Sequence, residues 1–187
     1  MCRLDAAAAV LPAFRDYMDT ATDAVNVRDT LDSSEHAGIS EGLHGRSVIA
    51  VNGIYVGDGH RGEQILGAIR TLGDPIFDVL QPLPYTSVQR LVDVFFPACG
   101  LRYYWKGLYL DGLGDSVVSA LAAAFARNPS PLSMLVIRAG RANGRHAGPS
   151  RHGVVAETAW LPVLRSLEMR SWFEACADLR GKQGVRQ

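Results

Sequence analysis

A surplus of charge of either sign is absent from this sequence. Its 187 residues carry 19 Lys and Arg against 19 Asp and Glu, for a formal net charge of zero. Nothing in that balance points to a nucleic-acid or anionic-lipid surface, so no nucleic acid and no membrane is expected as a partner. Long hydrophobic runs are absent as well, since none approaches the ~20 residues that cross a bilayer. The alanine run that ends at Val10 is flanked by Asp5 and Asp16, without the basic-then-apolar layout of a secretory signal. Cysteines are few: Cys2, Cys99 and Cys176 are odd in number and far apart. They suit neither a disulfide framework nor a CxxC pair, and a reduced, cytoplasmic setting is the expectation. No GxSxG elbow occurs, and no glycine-rich dinucleotide fingerprint is expected. The glycine- and arginine-rich residues 140–148 read as a surface loop. His146 and His152 have no cysteine or clustered carboxylates beside them, so no metal site is expected.

What is present is an ordinary globular composition, 48% hydrophobic and 20% charged, in a chain long enough to bury one core. Apolar spacing at Val10, Leu11, Phe14 and Met18 predicts a helix within 6–22, begun only near Val10 because Pro12 suits a first turn. A short strand over 24–31 follows, with Asn26 and Arg28 on one side and Val25 and Val27 on the other. Residues 32–45 form a loop. Residues 47–56 form a nearly continuous apolar, central strand, ended by Gly57-Asp58-Gly59. A helix over 63–72 presents Ile65, Leu66, Ile69 and Leu72 on one side and is closed by Gly73. Further along, the pattern predicts a strand over 76–83, a helix over 85–95 and a strand within 101–113. A helix over 115–127 comes next, capped by Asp111 or Asp115. Strands over 132–139 and 154–160 and a helix over 164–179 complete the series. The fold class is therefore α+β, a mostly antiparallel sheet with helices packed on one face. One domain is expected over 1–180, with a polar tail at 181–187.

Residues 101–113, LRYYWKGLYLDGL, crowd large side chains around one lysine. Strand alternation separates Arg102, Tyr104, Lys106, Leu108 and Leu110 from Tyr103, Trp105, Gly107 and Tyr109. An apolar wall holding phenols and a single cation suits a ligand pocket. The plainer alternative has Lys106 snorkelling from an edge strand.

Three words in this order and spacing are specific: PYTSVQRLVD at 84–93, LRYYWKGLYLDGLGD at 101–115 and PSPLS at 129–133, with YVGD upstream at 55–58. They resemble the substrate-binding half of bacterial FAD-linked oxidases of the berberine-bridge type, within the vanillyl-alcohol-oxidase group. The likeness runs from about residue 11 to about residue 142. It implies FAD as cofactor, a small organic substrate, and hydride transfer to flavin followed by electron transfer to oxygen. In that family the flavin sits largely on a separate domain, which supplies the histidine bonded to it. That domain is not recognisable here, and His36, His44 and His60 do not replace it. The resemblance therefore implies that FAD is not bound tightly by this chain alone, and that a separate flavin-binding partner domain is possible. Toward the end of the chain, Gly184-Val185 is followed by Arg186-Gln187 where the family continues through a Gly-Val-Tyr strand. Pro149-Ser150-Arg151-His152 matches the family's Pro-His-Arg arrangement only loosely, so His152 takes no role.

The resemblance makes Lys106 the catalytic candidate, near the reactive edge of the flavin. There it would orient a substrate oxygen, stabilise negative charge, or act as a base if desolvated. Tyr103, Tyr104, Trp105, Tyr109, Tyr85 and Gln89 are the substrate-binding candidates. Only alternate residues of the strand can share one face, and for Tyr85 and Gln89 a capping or packing role competes. Two other classes of function stay open. One is a flavin-free small-molecule binder or non-redox cyclase-like protein. The other is an interaction module whose bare face drives homo-oligomerisation.

Overall fold

A computed structural model describes residues 1–22, 24–33, 41–91, 93, 102–110, 113–128, 130–139, 152–160 and 174. Six strands form one sheet: β1 (Cys2–Arg3), β2 (Val25–Ser33), β3 (Ser47–Tyr55), β4 (Arg102–Leu110), β5 (Ser133–Ala139) and β6 (His152–Trp160). Their order is β1-β3-β2-β5-β6-β4, and every neighbouring pair is antiparallel. The helices are α1 (Ala7–Thr20), α2 (Gly59–Gly67), α3 (Tyr85–Arg90) and α4 (Asp115–Phe125). The α+β class with an antiparallel sheet holds.

Strand register divides the sheet into two unlike faces. Val25, Val27 and Leu31 of β2 oppose Tyr55, Gly53 and Ile49 of β3, and Leu31 also opposes Leu135 of β5. This face packs with Val10, Leu11 and Phe14 of α1, Leu66 of α2 and Leu121 and Phe125 of α4 in a single buried cluster. Each fully buried side chain of this size contributes about 1.5–3 kcal/mol. Gly53 fits that packing because a Cβ there would meet Ile69 Cδ1 at 2.5 Å and Leu66 Cδ2 at 3.0 Å.

Several expectations need correction. α1 begins at Ala7, with Pro12 inside it. Burial of Ala7, Val10, Leu11, Phe14 and Met18 outweighs the one backbone bond that Pro12 cannot donate. β3 is not central. It lies next to the edge, covered only by the two residues of β1, which pair with Ile49 and Val48. β2 runs two residues past Leu31, to Ser33. α2 starts at Gly59, where the Asp58 side chain accepts from the Arg61 N–H at 3.0 Å, and passes into a 3₁₀ turn at Ala68–Thr71.

Residues 76–83 form no strand but an irregular strap. The Met1 carbonyl accepts from the Ile76 and Phe77 N–H groups at 2.9 and 3.4 Å. Arg70 pairs with Asp78, and the Leu80 N–H donates to Asp78 Oδ1 at 2.9 Å. Pro75, Pro82 and Pro84 lack the N–H that a ladder requires. α3 spans six residues, with Leu91 and Asp93 in turns; 92 and 94–95 lie outside the described residues. The cap of α4 is Gly114, without a side-chain bond, and Asp115 sits in the first turn. There its charge complements the helix dipole. Asp111, most of the loop 140–153, the helix expected over 164–179 apart from Glu174, and the tail lie outside the described residues. β6 begins at His152, earlier than expected. Among the described residues no helix is long and apolar enough to cross a membrane.

Candidate functional site

β4, the strand of the aromatic-Trp-Lys word, is the terminal strand of the sheet, paired along its length with β6. Following the register through β6 and β5 places Tyr104, Lys106 and Leu110 on the helix face. Leu110 is fully buried, whereas Tyr104 and Lys106 are exposed. Tyr103 and Trp105 belong to the opposite face, away from α1, α2 and α4, with Trp105 57% exposed. Trp105 and Lys106 are therefore adjacent in sequence and separated by the sheet. Tyr109 is opposite Gly153.

The same register puts Asn26, Arg28, Thr30 and Asp32 of β2, Ala50, Asn52 and Ile54 of β3, and Met134, Val136 and Arg138 of β5 on that second face, where Thr30, Asp32, Ala50, Met134 and Val136 are buried. Arg28 stands directly across from Arg138. Asn52 is tied into this face, its amide donating to Thr30 Oγ1 at 3.5 Å and to the Ala50 carbonyl at 3.2 Å.

Beyond β1 the outer edge of β3, away from β2, has no further strand among the described residues, and the strap runs past that opening. Between them lies a cleft of about 410 Å³, within the usual size range of small-molecule sites. Asn26, Arg28, Ala50 and Asn52 line its sheet side. Phe77, Val79, Leu80, Leu83, Val88 and Leu91 line the strap side. α3 turns Val88 toward the cleft, whereas Tyr85 and Gln89 are not among its lining residues. Those two meet each other instead, with Gln89 Nε2 donating to Tyr85 Oη at 2.8 Å. The structure thus gathers the sequence candidates into three separate places: Tyr103 with Trp105, Tyr104 with Lys106, and Tyr85 with Gln89. The cleft residues Arg28, Asn52 and Val88 were not singled out. Their signal was the polar alternation of Asn26 and Arg28 in a strand that proves to be interior.

Asp29 was missed as well. It lies on the helix face between Val51 and Ile137, fully buried, and neither carboxylate oxygen has a hydrogen-bond partner. Burial pushes its pKa well above the ordinary 3.8, because ionisation there would place a charge in apolar surroundings.

Contrary to expectation, the sequence does carry a GxGxxG, at Gly57, Gly59 and Gly62, directly after β3 and opening α2. Its geometry does not suit a pyrophosphate. The Asp58 carboxylate already takes the Arg61 N–H and adds negative charge where phosphate would sit. A Cβ on Gly62 would meet Tyr55 Cδ1 at 2.7 Å, so that glycine serves helix-to-strand packing. β3 also pairs antiparallel with β2, unlike the parallel unit that dinucleotide folds use. Among the described residues no group of three or more His, Cys, Asp or Glu is arranged to hold a metal.

No protein-family model matches the chain, and no curated protein sequence matches it. Solved structures do. The chain superposes on 6-hydroxy-D-nicotine oxidase from Arthrobacter nicotinovorans with a TM-score of 0.71 at 16% identity, over 96% of this chain and 41% of that one. CrmK, a flavoenzyme of caerulomycin biosynthesis, gives 0.69 at 15% identity, over 98% and 40%. Berberine bridge enzyme in complex with (S)-reticuline gives 0.66 at 9% identity, over 100% and 40%. The resemblance to berberine-bridge-type FAD oxidases therefore holds at the level of fold. This chain spans about two fifths of their length.

Proposed function

We propose that this chain supplies the substrate-side part of an FAD-linked oxidoreductase acting on a small organic molecule, with the flavin carried by a separate partner domain. The observation that carries this reading is the second face of the sheet, away from α1, α2 and α4. It presents Trp105, Tyr103, Asn52, Arg28 and Arg138, in a fold shared with flavin oxidases. Bound FAD would supply the hydride acceptor. The described residues fit contact with its ring system better than with its phosphates, because the GxGxxG turn is closed by Asp58 and Tyr55.

Within this reading Trp105 offers flat contact on the covered side, with Tyr103, its hydroxyl buried, on the same face. Lys106 keeps its candidacy as an electrostatic group. Exposed on the terminal strand, its long stem can carry the ammonium around the sheet edge. Tyr104, Tyr109, Tyr85 and Gln89 would then shape the rim. A cytoplasmic setting and self-association through this face belong to the same proposal, the latter supported by exposed Trp105 and Ile54.

A second reading, a flavin-free binder, is favoured by one observation: the cleft is formed by the chain alone. Native mass spectrometry of the protein from its own host separates the two. A co-purifying flavoprotein, or FAD held only when a partner is present, supports the oxidase part. Saturable FAD binding by the isolated chain at about micromolar Kd or tighter overturns the claim that a partner is needed. A homodimer carrying another small molecule supports the binder.

A further inference from the structure

We propose that the open edge of β3 takes an extended, apolar peptide segment as an added strand, antiparallel to β3 and in line with β1. Five consecutive residues of β3, 50–54, line the cleft. Successive residues of a strand point to opposite faces, so the cleft follows the edge of β3 as well as one face. That edge is bare backbone. The Val56 N–H donates to the Ala24 carbonyl at 3.2 Å, in the register of the β2–β3 ladder. The hydrogen-bonded pairs of the ladder are therefore the alternate ones, among them Asn26 with Ile54 and Arg28 with Asn52. The N–H and C=O groups of Ile49, Val51 and Gly53 point the other way, to the outer edge. Ile49 faces Cys2 of β1. Val51 and Gly53 lie beyond β1, and among the described residues nothing bonds to their outward groups. The strap reaches the Met1 carbonyl through the Ile76 and Phe77 N–H groups and passes Val51 and Gly53 without pairing.

Sheet edges are ordinarily guarded by charge, proline or a bulge. The residues of β3, SVIAVNGIY, include no charge and no proline, and the register with β2 is unbroken from Ser47 to Tyr55. The walls decide which segment fits. Side chains of an added strand would alternate between two pockets, lined by Ile69 and Leu72 on the α2 side and by Val79, Leu83 and Val88 on the other. Both are apolar, so successive apolar residues suit them, and β-branched ones suit the extended backbone. The charged side chains of the lining are already engaged: Arg70 pairs with Asp78, and Arg28 has a partner. A charge within the segment would meet no free counter-charge there. Main-chain bonds to Val51 and Gly53 supply affinity in this mode, and the two pockets supply specificity.

The probe is acetyl-Lys-Val-Ile-Val-Ile-Lys-amide, its lysines reaching past the opening into water, in two isomers. One is N-methylated at its second and fourth residues, which leaves one edge of the peptide free. The other is N-methylated at its third and fourth residues, so that every pair of neighbouring donors on either edge includes a methyl. Composition and apolar surface are the same. Isothermal titration of the full chain should show saturable 1:1 binding of the first isomer, with a Kd of about 1 mM or tighter. The second should bind at least about tenfold more weakly. Val51→Pro removes one outward N–H, leaves the ladder to β2 intact, and should weaken the first isomer by a similar factor. Should that variant not fold, hydrogen exchange of the native chain decides, since the Val51 and Gly53 amides should slow when the first isomer is added. Equal affinities for the isomers, binding of neither, or unchanged exchange at both amides overturns the proposal. So does slowing of both amides with protein concentration alone, which would make a second copy the occupant. No flavin is present, so the oxidase reading can fail without altering this result, and failure here leaves the flavin experiments unchanged.

Discussion

Asp29 lies directly across from Ile137 in the middle of the sheet, its carboxyl sealed in the apolar side without a hydrogen-bond partner. Its pKa in the folded chain is raised well above 3.8 by burial. The neutral acid is therefore the form compatible with the fold. A raised folded pKa means that the folded state binds more protons than the unfolded state as pH climbs through the interval between the two pKa values. Stability from this group is full below about pH 4 and is lost as pH rises toward the folded pKa. The Cys2 thiol lies near enough to be coupled to it and is itself pushed up, chiefly by burial. Urea titrations of the native chain from pH 4 to pH 8 should show falling stability. Asp29→Asn should flatten the curve, and Asp29→Val should raise stability at neutral pH by about 1–3 kcal/mol. An unchanged pH profile in Asp29→Asn would remove this account.

The glycines around α2 have opposite expected responses. A Cβ at Gly53 meets Ile69 and Leu66 at 3.0 Å or less, whereas one at Gly67 meets nothing within 4 Å. Gly53→Ala should cost about 1–3 kcal/mol by overpacking. Gly67→Ala should contribute about 0.4–1 kcal/mol through a restricted unfolded chain and better helix propensity. Thermal melts of the two variants, side by side, check the sign of each.

Asp58 connects the strand end to the helix. Its side chain satisfies one of the first N–H groups of α2, so Asp58→Ala should cost about 0.5–2 kcal/mol and Asp58→Asn much less. Because the cap bond and the packing of Tyr55 on Gly62 close the GxGxxG turn as well as the charge, Asp58→Asn should not gain FAD affinity by more than a few fold. Asn keeps the cap in place and removes only the charge. A large gain would show a phosphate cradle held shut by electrostatics alone.

The strap has its own pH signature. The Leu80 backbone N–H, and next the Arg70 guanidinium, hold the Asp78 carboxyl below the ordinary carboxylate range. A depressed folded pKa contributes stability above the unfolded value, which is lost as pH falls through the folded one. The protection factor of the Leu80 amide, its exchange rate set against the intrinsic rate at the same pH, should therefore fall on acidification below about pH 4. In Asp78→Ala the same amide should have little protection at every pH. Protection that is independent of pH would detach the strap from this pair.

Alternation made much of the fold legible. Val25 and Val27 against Asn26 and Arg28 gave the two faces of β2 correctly, and the apolar positions of α1 and α4 are the ones buried. Strand order was not legible, because β3 reads as central from its apolar run, yet its burial comes from α2 and the core rather than from strands on both sides. Residues 76–83 read as a strand because they are apolar. Their prolines and the Arg70–Asp78 pair, two elements away in sequence pattern, decide otherwise. The site was legible only in part. The aromatic-Trp-Lys word marked β4, but its meaning depends on which face the strand turns toward the helices, and only the register through β6 and β5 fixes that. Arg28 and Arg138 are 110 positions apart, and nothing local announces that they meet.

That face assignment yields the sharpest test. Trp105 stands on the face away from α1, α2 and α4 and Lys106 on the face they cover, both exposed. Charge reversal or insertion at exposed positions away from caps and core usually changes stability by no more than about 0.5 kcal/mol, so both Trp105→Glu and Lys106→Glu should fold. If the Trp105 face is what a flavin-bearing partner or a second copy covers, Trp105→Glu places a charge in a desolvated contact. Association measured by light scattering over a concentration series should then weaken by tenfold or more, in line with about 1.4 kcal/mol per decade. Lys106→Glu should leave association unchanged and act, if at all, on turnover of the assembled enzyme. The reverse pattern, with association lost in Lys106→Glu and kept in Trp105→Glu, would move the working surface to the rim of the helix side.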